Sequence, residues 1–291
     1  MGSYARVALL AIVAWASPSV AGPGLPVMPG YKRTSFTAEQ GAPGSVNAIA
    51  QTADGFLWIG TTQGLWRFDG FRFERMPALE KIGGSGVSQL LVTRRGELWI
   101  GYGFGGVART RGGHILPASP GRAPKGWTES MSEAPDGALW VTNAGYLYRH
   151  AGGRWTKGSY AELGRPYRVV AARDGAVWAC LRNNDKGRLI RIDPVTMAPT
   201  LVAELGEVCT LSRDGGAGVL IAASKQIRQF DAGHPAGRTV AILPEGMADT
   251  VIGIGRNGEG WATNASRRIL KFTVPGNGRS EAGAATLFES A

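Results

Sequence analysis

The chain has 291 residues, of which 44% are hydrophobic and 19% charged, with 32 basic side chains against 22 acidic ones for a net charge of +10. Its basic residues are dispersed in runs no longer than Arg94-Arg95 or Arg267-Arg268, which reads as a solvated surface and argues against a nucleic-acid partner. Two cysteines and three histidines, with no His-Glu-x-x-His, no Cys-x-x-Cys pair and no regular Asp-x-Asp-x-Asp-Gly loop, leave a metal site unsupported, and no cofactor is expected.

Residues 1–21 carry one basic residue, Arg6, then the apolar stretch Val7 to Ala16 and the small residues ending at Ala21. This is the pattern of a secretory leader cleaved after Ala21, which predicts a periplasmic or secreted protein. No later stretch approaches the ~20 apolar residues of a membrane span. The remaining residues, 22–291, suffice for one domain with a single core. Tyr31 to Thr37 reads as a lone strand, expected to complete the last sheet of the fold and so join the two ends of the chain.

From Val46 onward a unit of about forty residues recurs. Gly55, Gly96, Gly137, Gly175, Gly215 and Gly258 follow one another at steps of 41, 41, 38, 40 and 43, and Trp58, Trp99, Trp140, Trp178 and Trp261 stand three residues after five of them. The residue before each glycine is Asp54, Arg95, Asp136, Asp174, Asp214 or Asn257, and Asp-Gly or Asn-Gly marks a tight turn between two strands. An apolar or sulfur side chain, Ile49, Leu90, Met131, Val169, Cys209 or Ile252, precedes each turn at the place of a buried strand position. The tryptophan strand follows, then a third strand such as Gly64–Phe68, Tyr146–Arg149 or Ile269–Phe272. A fourth, poorly patterned strand fits the remainder.

Four short strands per unit, with no apolar period of 3.6 residues in any copy, define an all-β repeat, and the unit length is that of a β-propeller blade. Six copies between about residues 46 and 275 predict six four-stranded blades. The alternative is an incomplete seven-bladed ring in which Ala285–Phe288 begins the missing blade. The Gly-, Ser- and Ala-rich tail from Gly276 is expected to be disordered. Cys180 and Cys209 fall in consecutive copies at inward-looking positions; export permits a disulfide, but the residue pattern is read as two buried thiols.

A position filled alike in every copy is structural, so the indoles are assigned to packing between blades, and the recurrent Arg67, Arg109, Arg149, Arg191 and Lys271 to stems laid on apolar surface or paired with turn carboxylates. Recognition is expected instead from loops that differ between copies and share one face around the central channel. These are the loops after the tryptophan strand, with Gln63, Tyr102, Phe104, Asn143, Asn183, Asn184, Asp185, Asn264 and Arg267. Trp127 and Tyr167 stand at the entry to inner strands. Aromatic rings beside amides suit a small molecule or glycan, and the basic surface admits an anionic one; a protein partner is the other candidate.

The first copy, with Ile49, Asp54-Gly55, Leu57-Trp58-Ile59-Gly60-Thr61 and Gly64-Leu65-Trp66-Arg67-Phe68-Asp69-Gly70, closely resembles the repeat of the two-component regulator propeller family. The second and third copies keep Leu98-Trp99-Ile100-Gly101 and Asp136-Gly137 with Leu139-Trp140-Val141. The resemblance implies a periplasmic sensor module; the repeated packing positions and the scarcity of acid-base and metal groups lead to the expectation of no catalysis of its own. In that family the propeller is commonly followed by a β-sandwich, a membrane span and a cytoplasmic output domain; this sequence carries none of these after the repeats, so the expectation is a soluble binding protein or the front portion of a longer sensor. Copy four, Asp174 to Thr196, resembles the repeat of the virginiamycin B lyase family, which implies as the alternative an eliminating enzyme with a histidine base and a magnesium ion.

Overall fold

The computed structural model describes residues 34–76, 86–111, 114–118, 123–216, 218–245, 247, 250–255, 259–264, 268–274 and 285–289. The leader 1–21, Tyr31–Arg33, Gly258 and Arg267 lie outside them. The described residues form 24 strands and one three-residue 3-10 turn, Ala38–Gln40.

Each repeat becomes one antiparallel sheet of four consecutive strands. Blade 1 comprises β1 to β4 (Val46–Gln51, Leu57–Thr61, Gly64–Phe68, Phe73–Arg75), and blade 2 β5 to β8 (Val87–Val92, Leu98–Tyr102, Val107–Arg111, His114–Pro117). Blade 3 comprises β9 to β12 (Thr128–Glu133, Leu139–Asn143, Tyr146–Ala151, Arg154–Gly158), and blade 4 β13 to β16 (Arg165–Ala171, Val177–Asn183, Lys186–Ile192, Pro199–Leu205). Blade 5 comprises β17 to β20 (Thr210–Arg213, Val219–Ala223, Gln226–Phe230, Arg238–Ile242), and blade 6 β21 to β24 (Val251–Ile254, Glu259–Thr263, Arg268–Thr273, Ala285–Glu289). The six sheets form a six-bladed β-propeller, with the first strand of each blade next to its successor in the following blade.

The turn chemistry is local. Gly55, Gly96, Gly137 and Gly175 have φ between 80° and 91°, a region closed to most side chains, and each returns its N–H to the carbonyl three residues back. The side chains then alternate across the sheet. Trp58, Trp99, Trp140 and Trp178 point to the following blade and are at most 8% exposed. Leu220 replaces the indole in blade 5 and is fully buried. Five buried clusters result, one at each interface from blade 1–2 to blade 5–6.

Register pairs each tryptophan with the recurrent cation of the third strand, as in Trp99 with Arg109, Trp140 with Arg149 and Trp178 with Arg191. Those three guanidiniums lie 5.5 to 6.0 Å from the indole centroids. Arg109 and Arg149 also pair with Glu97 and Asp136 at 3.6 and 3.0 Å, and Lys271 pairs with Glu259.

Five expectations are corrected. The outer strand of blade 6 is β24, formed by the C-terminal Ala285–Glu289; Thr34–Thr37 takes no strand conformation, and Phe36 instead packs edge-on against Phe68 and Phe73 of blade 1. With β24 in that place, Ala285–Phe288 begins no seventh blade, and the tail from Gly276 is not wholly disordered. Cys180 and Cys209 are not free thiols but form a disulfide with Cα atoms 6.3 Å apart, because the loop entering blade 5 lays Cys209 against β14. The buried strand position of blade 5, opposite Ile221, is accordingly Leu211 and not Cys209.

Candidate ligand cavity at the channel mouth

Antiparallel order puts the Asp-Gly turns at one end of every blade, and the second-to-third-strand turns and blade-to-blade loops at the other. At that second end lies a cavity of about 650 Å³ walled by blades 3 to 6. Glu129 from β9, Tyr167 and Arg168 from β13 and Arg182 from β14 line one side. Val208 to Thr210, Lys225, Leu243 to Glu245, Thr250 and Val251 line the other.

Tyr167 is pinned at its hydroxyl, which accepts the Cys209 N–H at 2.5 Å and lies 2.7 Å from the Cys209 carbonyl, to which it donates. The disulfide ties Cys209 in turn to Cys180, two residues before Arg182 on β14. Ring, disulfide and strand thus hold one another, and a site built this way loses little conformational freedom on binding. Arg182 lies over the Tyr167 ring at 5.2 Å. Arg168 donates from Nη1 to the carbonyl oxygens of Glu129 and Tyr167.

Glu129 is the unusual group. Its Oε2 is buried without a hydrogen-bond partner. Burial pushes its carboxyl above the ordinary range, an effect reduced by the Gly145 N–H and by the charges of Arg168, Arg165 and Arg182. The Tyr167 hydroxyl is also raised, chiefly by burial.

The residues expected to form the site are not brought together. Tyr167 lines the cavity. Phe104 and Trp127 meet edge to face at 5.8 Å, both half or more exposed, as an aromatic pair over blades 2 and 3. Asn183, Asn184 and Asp185 border a separate groove of about 740 Å³ with Arg188 and Glu204. Gln63 is exposed in the turn between β2 and β3, its carbonyl accepting from Arg75.

Two others are structural. Tyr102 is 1% exposed within the core between blades 1 and 2, because strand alternation turns it inward. Asn143 is 1% exposed and clamps the entry of β9, its Oδ1 accepting the Gly126 N–H and its Nδ2 donating to the Gly126 carbonyl and Thr128 Oγ1. Asn264 follows β22 and is half-buried. Glu129, Arg168 and Arg182 escaped the sequence reading. A signal was available for Arg168 alone, since β13 opens on Arg-Pro-Tyr-Arg where β1 opens on Val-Asn-Ala-Ile.

Fold and site together define a six-bladed propeller with a polar-walled cavity at one mouth of its channel. The two component regulator propeller family profile matches residues 40–63, a single repeat. The extracellular domain of the putative hybrid two component system BT4673 of Bacteroides thetaiotaomicron superposes with a TM-score of 0.67 at 14% identity; 88% of this chain covers 34% of that one, so the present sequence spans about a third of its length. Virginiamycin B lyase from Staphylococcus aureus superposes with a TM-score of 0.65 at 15% identity over 84% of each chain. PorZ, a surface component of the type-IX secretion system of Porphyromonas gingivalis, gives 0.63 at 16% identity over 88% of this chain and 34% of its own. No curated protein matches the chain in sequence. At these identities the likeness establishes the fold.

Proposed function

We propose that the protein is an exported ligand-binding propeller of the sensor type, which recognises a small molecule or glycan in the mouth cavity of blades 3 to 6 and does no chemistry on it. The pinned cavity wall of Tyr167, Cys209 and Arg182 carries this reading, since a cavity of about 650 Å³ is of ligand size and its polar groups are preorganised. Export is supported by the leader pattern of residues 1–21 and by a disulfide that suits an oxidising compartment. The likeness to extracellular domains of two-component proteins agrees with a sensing role.

The likeness to virginiamycin B lyase raises the enzyme alternative. A base at the mouth would be needed, and none of the three histidines lines the cavity. His114 is exposed at the start of β8, His150 is buried against Trp99 and Trp155, and His234 sits 3.0 Å from Asp231 before β20.

Thermal-shift screening of residues 22–291 against neutral and acidic oligosaccharides, with and without chelator, tests the reading. A ligand present at 100 times its Kd adds about 2.7 kcal/mol, and that gain is expected to disappear in Tyr167→Ala. Chelator-sensitive conversion of the ligand, or an undiminished shift in Tyr167→Ala, would overturn it.

A further inference from the structure

The charges at the cavity are unevenly satisfied. Arg168, Arg182 and Lys225 share the lining with Glu129, Glu207 and Glu245, so its formal charges balance, and Arg165, paired in register with Arg182 and close enough to act on the Glu129 carboxyl, adds one positive charge. Glu207 is engaged, accepting the Ser224 N–H, and Arg168 is held by two carbonyls. Arg182 is held only by the Tyr167 ring, and Arg165 only packs against Gly145, which turns there at φ +77°. Among the described residues neither guanidinium has a hydrogen-bond or ion-pair partner. Beside them the buried Oε2 of Glu129 also has none.

Unpaired donors next to an unpaired acceptor define the complement they lack. We propose that the mouth cavity takes a small polyhydroxylated carboxylate, its carboxylate received by Arg182 and Arg165 and a neighbouring hydroxyl donating to Glu129 Oε2. This rests on the mouth being the binding site and adds the class of ligand. A neutral polyol would satisfy Glu129 and leave both guanidiniums unmatched, whereas guanidinium and carboxylate match in charge and geometry. A dianion would exceed the single surplus charge and press against the Glu129 carboxyl. A cation would meet three arginines.

Titration calorimetry of residues 22–291 at low ionic strength with D-gluconate, D-sorbitol and D-sorbitol 6-phosphate separates these cases. The expected result is gluconate binding at least tenfold tighter than either analogue and weakening with added salt. Arg182→Gln and Arg165→Gln should each cost gluconate about tenfold while sorbitol is unaffected, with circular dichroism melting to show that the variants fold. Equal binding of gluconate and sorbitol, both lost in Tyr167→Ala, would overturn the anionic class and leave the mouth as the site. Gluconate binding that is indifferent to both arginine variants and to Tyr167→Ala would overturn the class and the site together. Tighter binding of sorbitol 6-phosphate would overturn the monoanion, and no binding of any of the three would overturn the ligand class, with the oligosaccharide screen still deciding the site.

Discussion

Blade 1 carries the fullest form of the repeat, yet its inner strand is open to solvent; blade 4 carries a thin form, yet its inner strand is largely buried. Ile49 of β1 is 61% exposed, and no residue of that strand is buried. Of its counterparts opposite the middle of the second strand, Val169, Leu211 and Ile252 are 1%, 8% and 6% exposed, and Leu90 and Met131 are half-buried. In β14 the five residues Val177 to Leu181 are all buried. A repeat motif therefore sets a blade's own corners and pairing, while burial is conferred by the blade next to it. Blade 4 shares a cluster with each neighbour. Blade 1 shares one with blade 2, and on its other side Ile49 and Val251 of blade 6 remain largely exposed.

Ring closure explains the difference. Every sheet is made of consecutive strands, so no strand is shared across the seam between blades 6 and 1. Elsewhere the inner strands are stitched by side chains. Asn47 donates to the Val87 carbonyl, Ser88 to that of Thr128 and Ser130 to that of Val169. Arg213 reaches from blade 5 to the carbonyls of Ala171 and Glu133 in blades 4 and 3. The Tyr167 and Arg182 wall of the cavity belongs to this stitched sector.

Substitutions that strike the two regions unequally sharpen the contrast. Trp140→Ala, at a fully buried indole between blades 3 and 4, should cost about 3–5 kcal/mol in chemical denaturation. Replacing both Cys180 and Cys209 by Ala removes a bridge closing 29 residues and should cost about 3 kcal/mol, with loss of binding at the mouth because Cys209 holds Tyr167. Ile49→Ala, at the same register as Val169 but mostly exposed, should cost about 1 kcal/mol or less; a loss as large as that of Val169→Ala would erase the distinction.

The smallest effect is expected at Glu129. Its carboxyl is raised in the folded state, so the folded protein holds the proton to higher pH than the unfolded chain does. The associated stability is full below the ordinary carboxylate range and is lost as pH rises through the raised value. Glu129→Gln should thus raise Tm at pH 7 and leave it nearly unchanged at pH 4, provided no ligand is present; an equal shift at both would show that ionisation is not the cause.

How far the sequence announced this follows from where the information resides. The Asp-Gly corners, the indole rows and the cations beside them depend on contacts a few residues apart or one strand over, and all were legible. The disulfide was not, because Cys180 and Cys209 meet through the approach of a loop to a strand of the preceding blade. Nor was the place of β24, since residues 285–289, legible as the start of a blade, lack the turn and tryptophan that would assign them to one. At the site, Tyr167 was readable as a departure from the repeat. Glu129 was not, because its significance lies in what surrounds it after folding. Tyr102 and Asn143 stood in variable loops yet face inward, an outcome of alternation and of one amide's reach to Gly126.

Native-state hydrogen exchange of residues 22–291 tests the contrast between the stitched sector and the seam most directly. The amides of β14 and β18 should exchange only with global unfolding, and those of β1 and β21 faster, through local opening at the seam. Equal protection of β1 and β14 would contradict the account, since the ring would then be closed as firmly at its ends as beneath the cavity.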